Sequence, residues 1–119
     1  MAINSTSYQD LTQGVTSRLG TLRAGAPGMM KSFSELGRAA MADGALDMKT
    51  KELMALALGV AAHCDACIGY HMKTLVKLGA TRQEVDETLG VAVYMGGGPS
   101  LMYAANAIAA FDEFSGVTA

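Results

Sequence analysis

The sequence predicts an all-α protein, a single-domain bundle of about six helices. Two observations carry the prediction. Half of the 119 residues are hydrophobic but only 6% are aromatic, so a core must be assembled from Ala, Leu, Val and the nine Met. That mixture favours closely packed helices over a sheet. Apolar residues also recur at spacings of three and four along almost the whole chain, which is the period of one helix face. A chain of this length holds one ordinary core with little to spare. It contains no repeat, no low-complexity tract and no linker long enough to separate domains.

The elements follow in order. After the polar start MAINSTSYQD, Leu11, Val15, Leu19 and Leu22 mark one face of a first helix that ends near Gly25. Pro27 suits the opening turn of a second helix through Phe33, Leu36 and Ala40, which stops around Asp43 and Gly44. Asp47 is placed to cap a third, MKTKELMALALGVAAH, residues 48–63. The next break is expected at His63 to Asp65, with a fourth helix carrying Ile68, Met72, Leu75, Val76 and Leu78 as far as Gly79. TRQE, Thr81 to Glu84, reads as a capping box opening a fifth helix through Val85, Leu89 and Val93. GGGPS, Gly96 to Ser100, is expected to interrupt it, since three glycines and a proline disfavour a helix by roughly several kcal/mol. A last helix, LMYAANAIAAFDEF, occupies residues 101–114.

Charge narrows the function. A formal net charge of −2 and a pI near 5.5 leave no basic stripe, so neither nucleic acid nor membrane is expected as a partner. The start lacks the basic-then-apolar layout of a signal peptide. The best apolar run, Leu53 to Ala62, ends at His63 and Cys64, short of the roughly 18 residues of a spanning helix. A cytoplasmic protein is therefore expected. In that reducing compartment a cysteine pair is catalytic or metal-binding more often than a permanent staple.

Both cysteines and both histidines lie in AAHCDACIGYH, residues 61–71. Cys64 and Cys67 fall one helical turn apart on one face, with α-carbons about 5 Å apart and within disulfide range. A helix beginning close to Cys64 favours thiolate over thiol through its free N–H groups and its dipole. His71 is four residues beyond Cys67 and stands above it as a candidate base. Glu52 is the candidate to orient that imidazole, because a carboxylate on the inner face of ELMALALGVAA needs a partner. On one unbroken helix Glu52 and Cys64 would be about 18 Å apart and about 120° out of phase. If the third and fourth helices fold back at the break, Glu52 lies about 15 Å from the turn and His71 about 11 Å, at comparable depth. A relay from Glu52 through His71 to Cys67 is then geometrically reasonable, with Cys64 as the resolving partner.

Glu52, eleven residues, Cys64, two residues, Cys67, three residues and His71 resembles the active-site motif of the AhpD-like alkylhydroperoxidases, within the wider carboxymuconolactone decarboxylase family. GGGPSLMYAANAIAAFDEF also resembles that family's glycine-proline break and closing helix, and the resemblance runs from Phe33 to Phe114. It implies one AhpD-like helical domain over residues 1–119 that assembles into homo-trimers or homo-hexamers. It also implies a peroxidase that reduces hydroperoxides through a CxxC disulfide cycle. An apolar lining expected from Leu56, Ile68 and nearby Met would suit small organic peroxides, and the thiol chemistry requires no metal or organic cofactor. By position, Cys67 matches the peroxidatic cysteine that becomes a sulfenic acid, and Cys64 the resolving cysteine and proton donor. Glu52 and His71 match the proton relay, and an external dithiol, thioredoxin-like or lipoyl, would reduce the disulfide. The family's type member has a histidine immediately before the second cysteine, where this chain has Ala66. The decarboxylase branch fits less well, because its members do not depend on a CxxC pair. Helix-terminus physics alone favours Cys64 as the nucleophile. The resemblance and a base at i+4 favour Cys67, which is the expectation adopted.

Other readings use the same residues. A general disulfide oxidoreductase would act with this pair on protein substrates. A zinc-binding or regulatory module would set two thiolates, an imidazole and a carboxylate around the metal, but one helix face offers ligands in a row and not a tetrahedron. Haem attachment fails because Ile68 follows Cys67 where a histidine is needed. The bland reading of Glu52 is a solvated first-turn residue or an ion pair with Lys49 or Lys51, and that of His63 is a helix-end residue. Asp65 and Tyr70 flank the motif with no spacing that assigns them a role. Gly96 to Gly98 lack the Lys-Ser/Thr of a phosphate loop. The scattered Met read as core and interface filler. Ala39, Ala40, Ala104, Ala105 and Ala109 would let helices pack closely, within one chain or between chains.

Overall fold

The computed structural model describes residues 7–116, and within them six α-helices and no strand. They are α1 (Tyr8–Gly25), α2 (Pro27–Met41), α3 (Met48–Ala61), α4 (Asp65–Lys77), α5 (Arg82–Gly96) and α6 (Gly98–Ser115). Local chemistry sets their starts. The Ser7 side chain accepts from the Asp10 N–H at 3.0 Å, and the Asp47 side chain from the Thr50 N–H at 2.8 Å. Thr81 and Glu84 exchange the reciprocal bonds of a capping box, at 2.9 and 3.1 Å. Each cap satisfies amides that the helix leaves without partners. Pro27 opens α2, where its missing N–H costs no bond.

α3 and α4 end alike. His63 N–H bonds the Val60 carbonyl at 3.1 Å while Cys64 N–H bonds the Gly59 carbonyl at 3.0 Å. Gly79 and Ala80 repeat the pattern on Val76 and Leu75 at 3.1 and 3.0 Å. This is the Schellman arrangement, which requires a left-handed residue after the helix. Gly79 fills that place with a φ of 80°, and His63 does so with a φ of 56°. The turn at His63 sends α4 back antiparallel along α3. Glu52 meets His71 and Gly59 meets Cys67, so partners rise along α4 as residue numbers fall from Gly59 to Glu52.

The core lies where α3, α4, α5 and α6 converge, with Leu56, Val60, Ile68, Met72, Leu75 and Val85 fully buried. Burial of each such side chain contributes about 1.5–3 kcal/mol. α1 crosses α4 at Gly69, where a Cβ would stand 2.7 Å from Thr12 Cγ2, so only glycine permits that approach. Glu113 of α6 accepts from the N–H groups of Tyr8 and Gln9 at 3.1 and 2.7 Å, placing a carboxylate at the positive end of α1. α2 differs from the rest. Only Met30 is buried on it, while Phe33 and Leu36 are 68% and 62% exposed.

Three boundaries depart from expectation. α1 begins at Tyr8, inside the polar start, because Ser7 caps it and Glu113 receives its first amides. α3 stops at Ala61 and not at His63, because Ala62 and His63 form the turn. The interruption expected over Gly96 to Ser100 shrinks to Gly97, at φ 77° and ψ −162°. One glycine suffices there, since Pro99 falls in the first turn of α6, where it breaks no bond. Gly96 belongs to α5, and Ser100 Oγ fills the space that a Cβ there would need. The polar start, read as lacking a signal peptide, falls largely on residues 1–6, outside the described residues. Among the described residues no helix is long and apolar enough to cross a membrane.

Candidate active site

The site is built on the α3–α4 hairpin. Cys64 is the N-cap of α4, and its Sγ accepts from the Cys67 N–H at 3.2 Å. A sulfur thus stands where a Ser or Asp oxygen usually satisfies the amide. Cys64 and Cys67 are joined as a disulfide with α-carbons 5.2 Å apart, in line with the spacing expected of one turn. Cys64 itself lies just outside the helix, at its positive end.

Cys67 and His71, one turn apart on α4, face a cleft of about 330 Å³. The rest of its wall is Ala55, Leu58, Gly59 and Ala62, all contributed by α3 and its C-cap, and not the expected Leu56 and Ile68, which are fully buried in the core. Such a wall suits a small, uncharged, largely apolar group. Glu52 is buried on α3, and its Oε1 lies 2.6 Å from His71 Nδ1. Its side chain is 10% exposed against 33% for the imidazole, so the carboxylate supports from behind while the ring reaches the cleft. With Nδ1 engaged, Nε2 is the ring nitrogen left for proton transfer. The ion-pair alternative for Glu52 does not occur. Lys49 bonds Glu84 of α5 at 2.8 Å, and Lys51 bonds the Ala42 carbonyl at 2.6 Å. Among the described residues no three or more His, Cys, Asp and Glu are gathered as a metal would need.

Residues 27–110 match the sequence model of the family described as carboxymuconolactone decarboxylase. The chain belongs to the carboxymuconolactone decarboxylase family. A crystal structure of a carboxymuconolactone decarboxylase family protein from Legionella pneumophila, in its apo form, is 59% identical, with a TM-score of 0.89 over 91% of this chain and 96% of that one. A second family structure, from Thermotoga maritima, is 30% identical with a TM-score of 0.77, covering 90% of this chain and 96% of that one. That protein is described as possibly involved in antioxidative response. An uncharacterized protein of Cupriavidus necator is 39% identical over 101 residues, 85% of this chain and 89% of its own length. An uncharacterized protein of the Paracoccus denitrificans cox locus is 38% identical over 96 residues, 81% of this chain and 86% of its own length.

In this family member the hairpin brings Glu52, His71 and Cys67 to one side and leaves His63 on another. The His63 ring stacks on Tyr103 of α6, centroids 4.7 Å apart, as a helix-end residue with an aromatic partner. Tyr70 donates to the Thr12 carbonyl at 2.9 Å and meets Thr16 Oγ1 at 2.5 Å, so it fastens α1 to α4. Two contributors are not evident from the sequence. Gly59 lies against Cys67, where a Cβ would stand 3.2 Å from the Cys67 Cβ, so its small size sets the approach of the two helices beside the sulfur. Tyr8 donates to Asp65 at 2.6 Å across 57 residues of sequence, and no local pattern announces such a pair. The glycine in LALGVAA is the one available signal for the first, because glycine inside a helix needs a packing reason.

Proposed function

We propose that the chain is a thiol-dependent peroxidase that reduces small organic hydroperoxides through a Cys64–Cys67 dithiol/disulfide cycle. One observation carries the reading: a Glu52-held imidazole and Cys67 share a small apolar cleft beside a formed disulfide. The reduced pair starts the cycle. His71 Nε2 takes the Cys67 proton, and Glu52 stabilises the imidazolium through Nδ1–H. The thiolate attacks the distal oxygen of ROOH, the O–O bond breaks, and the departing alkoxide takes the proton back to leave as ROH. Cys67 is then a sulfenic acid. The Cys64 thiol attacks that sulfur, its proton leaves with the hydroxyl as water, and the disulfide closes. An external dithiol, thioredoxin-like or lipoyl, donates two electrons and two protons to reopen it. No metal or organic cofactor enters this cycle, and the cytoplasm is the compartment in which such reductants would meet it.

The same reading has the protein act as a homo-trimer or homo-hexamer. It is supported by the bare apolar face of α2, with Met29 52% exposed beside Phe33 and Leu36, since a patch of that kind marks an interaction surface.

The experiment follows hydroperoxide consumption with a reducing partner present. Cys67→Ser abolishes turnover, while Cys64→Ser forms a sulfenic acid once and stops, which a dimedone adduct on Cys67 reports. Multiple turnover by Cys67→Ser contradicts the assignment. Faster oxidation of the reduced pair by a protein disulfide than by peroxide would make the chain a general disulfide oxidoreductase.

A further inference from the structure

The residues on either side of Cys64 are each held by a distant element. His63 lies flat on Tyr103 of α6, the ring planes 5° from parallel. Asp65, the first residue of α4, accepts a 2.6 Å hydrogen bond from the Tyr8 hydroxyl of α1. Tyr8 is itself a firm donor. Burial first, then the Asp65 bond and charge, push its phenol well above the ordinary tyrosine range, with smaller contributions from Tyr103 and Glu113 of α6. Glu113 is committed to the Tyr8 and Gln9 amides. The Asp65 carboxylate, on the residue that follows Cys64, is therefore held by a hydrogen bond from α1.

That placement opposes everything else acting on Cys64. The N-cap position, the helix dipole and the Cys67 N–H on its sulfur all favour a thiolate there. Left alone, they would make Cys64 the first nucleophile, on the side of the pair away from the base. A fixed negative charge on the adjoining residue disfavours a second one. On the Cys67 side stand His71 and Glu52, which can remove a proton and hold it.

We propose that Asp65, fixed by Tyr8, decides which cysteine ionises: its charge keeps Cys64 a thiol and leaves the thiolate on Cys67. Asp65 is thus a positioning residue that acts through Cys64. The division separates two roles in one short motif, a nucleophile at Cys67 and a proton donor at Cys64, by pushing the two sulfurs apart in acidity. The inference rests on the dithiol reading of the site, but not on peroxide being its oxidant.

The test uses fully reduced wild-type protein, Asp65→Asn, Asp65→Glu and Tyr8→Phe. Each is treated with limiting iodoacetamide over the thiol range, about pH 5 to 10, and peptide mass spectrometry counts alkylation at each cysteine. Wild type labels first at Cys67. Asp65→Asn raises the rate at Cys64 near neutrality by about threefold to tenfold and lowers its pH midpoint. Asp65→Glu restores the wild-type order, and Tyr8→Phe shifts it in the same direction as Asp65→Asn but less. An unchanged Cys64 to Cys67 ratio in Asp65→Asn overturns the proposal. Equal shifts in Asp65→Asn and Asp65→Glu also overturn it, since they would report packing and not charge. No peroxide enters the assay, so a chain that ignores peroxide yet shows the shift loses only the peroxidase reading.

Discussion

α1 and α2 are longer than α3 and α4, yet between them they bury only Thr12 and Met30. The shorter hairpin buries Glu52, Leu56, Gly59 and Val60 on one helix and Ile68, Gly69, Met72 and Leu75 on the other. Both regions form helices from the same local signals, a cap or a proline at the start and a three-four apolar period. What separates them is the partner. The hairpin finds its own within the chain and so can hold an imidazole and a carboxylate at 2.6 Å. The α2 face that carries Phe33 and Leu36 finds none among the described residues, and the proposed function gives that face to assembly and not to chemistry.

Substitutions in the two regions should therefore fail in different assays. The largest expected effect is on the relay. His71→Ala slows oxidation of the reduced pair by about a hundredfold or more, the usual weight of a positioned base. Glu52→Gln costs about tenfold to a hundredfold, because the ring keeps its place but loses its counter-charge. Stopped-flow measurement with an organic hydroperoxide reads both, and wild-type rates in either variant would remove the relay. In the α1–α2 region the effect moves to subunit number. Phe33→Glu combined with Leu36→Glu should yield monomers by light scattering with the helical circular dichroism kept. An unchanged mass would show that this face is not the contact. The smallest effect compares one substitution in two places. Gly59→Ala forces a Cβ to 3.2 Å from Cys67 with α4 backbone close behind, and should destabilise by about 1–3 kcal/mol. Gly20→Ala on α1 meets nothing within 4 Å, and should stabilise by up to about 1 kcal/mol through helix propensity. Denaturant midpoints with equal signs would erase the contrast between the two regions.

The same contrast explains what could be read from residues alone. Six helices are legible because caps such as Asp47 and Thr81 and the apolar period are local, and the break at His63 follows from where the apolar run stops. That break carries the site, since without it Glu52 and Cys64 would sit on one rod. The motif spacing supplies Cys64, Cys67 and His71, and an acidic residue in an apolar stretch supplies Glu52. Contacts made across long separations are not legible. Tyr8 with Asp65 and His63 with Tyr103 depend on how α1 and α6 lie against the start of α4, which no periodicity encodes. The glycine-rich stretch misleads in a physical way. Intrinsic propensity counts every glycine against the helix, whereas Gly96 stays in α5 with Ser100 occupying the space of its absent side chain.

The proposed function makes Cys64 and Cys67 a working redox pair served by Glu52 and His71. It is tested most directly by counting thiols on fully reduced protein before and after one equivalent of an organic hydroperoxide, with mass spectrometry locating any new bond. Rapid loss of both thiols and a Cys64–Cys67 disulfide are the expected result. Thiols that persist through the treatment, or that a chelator must first release, would contradict it.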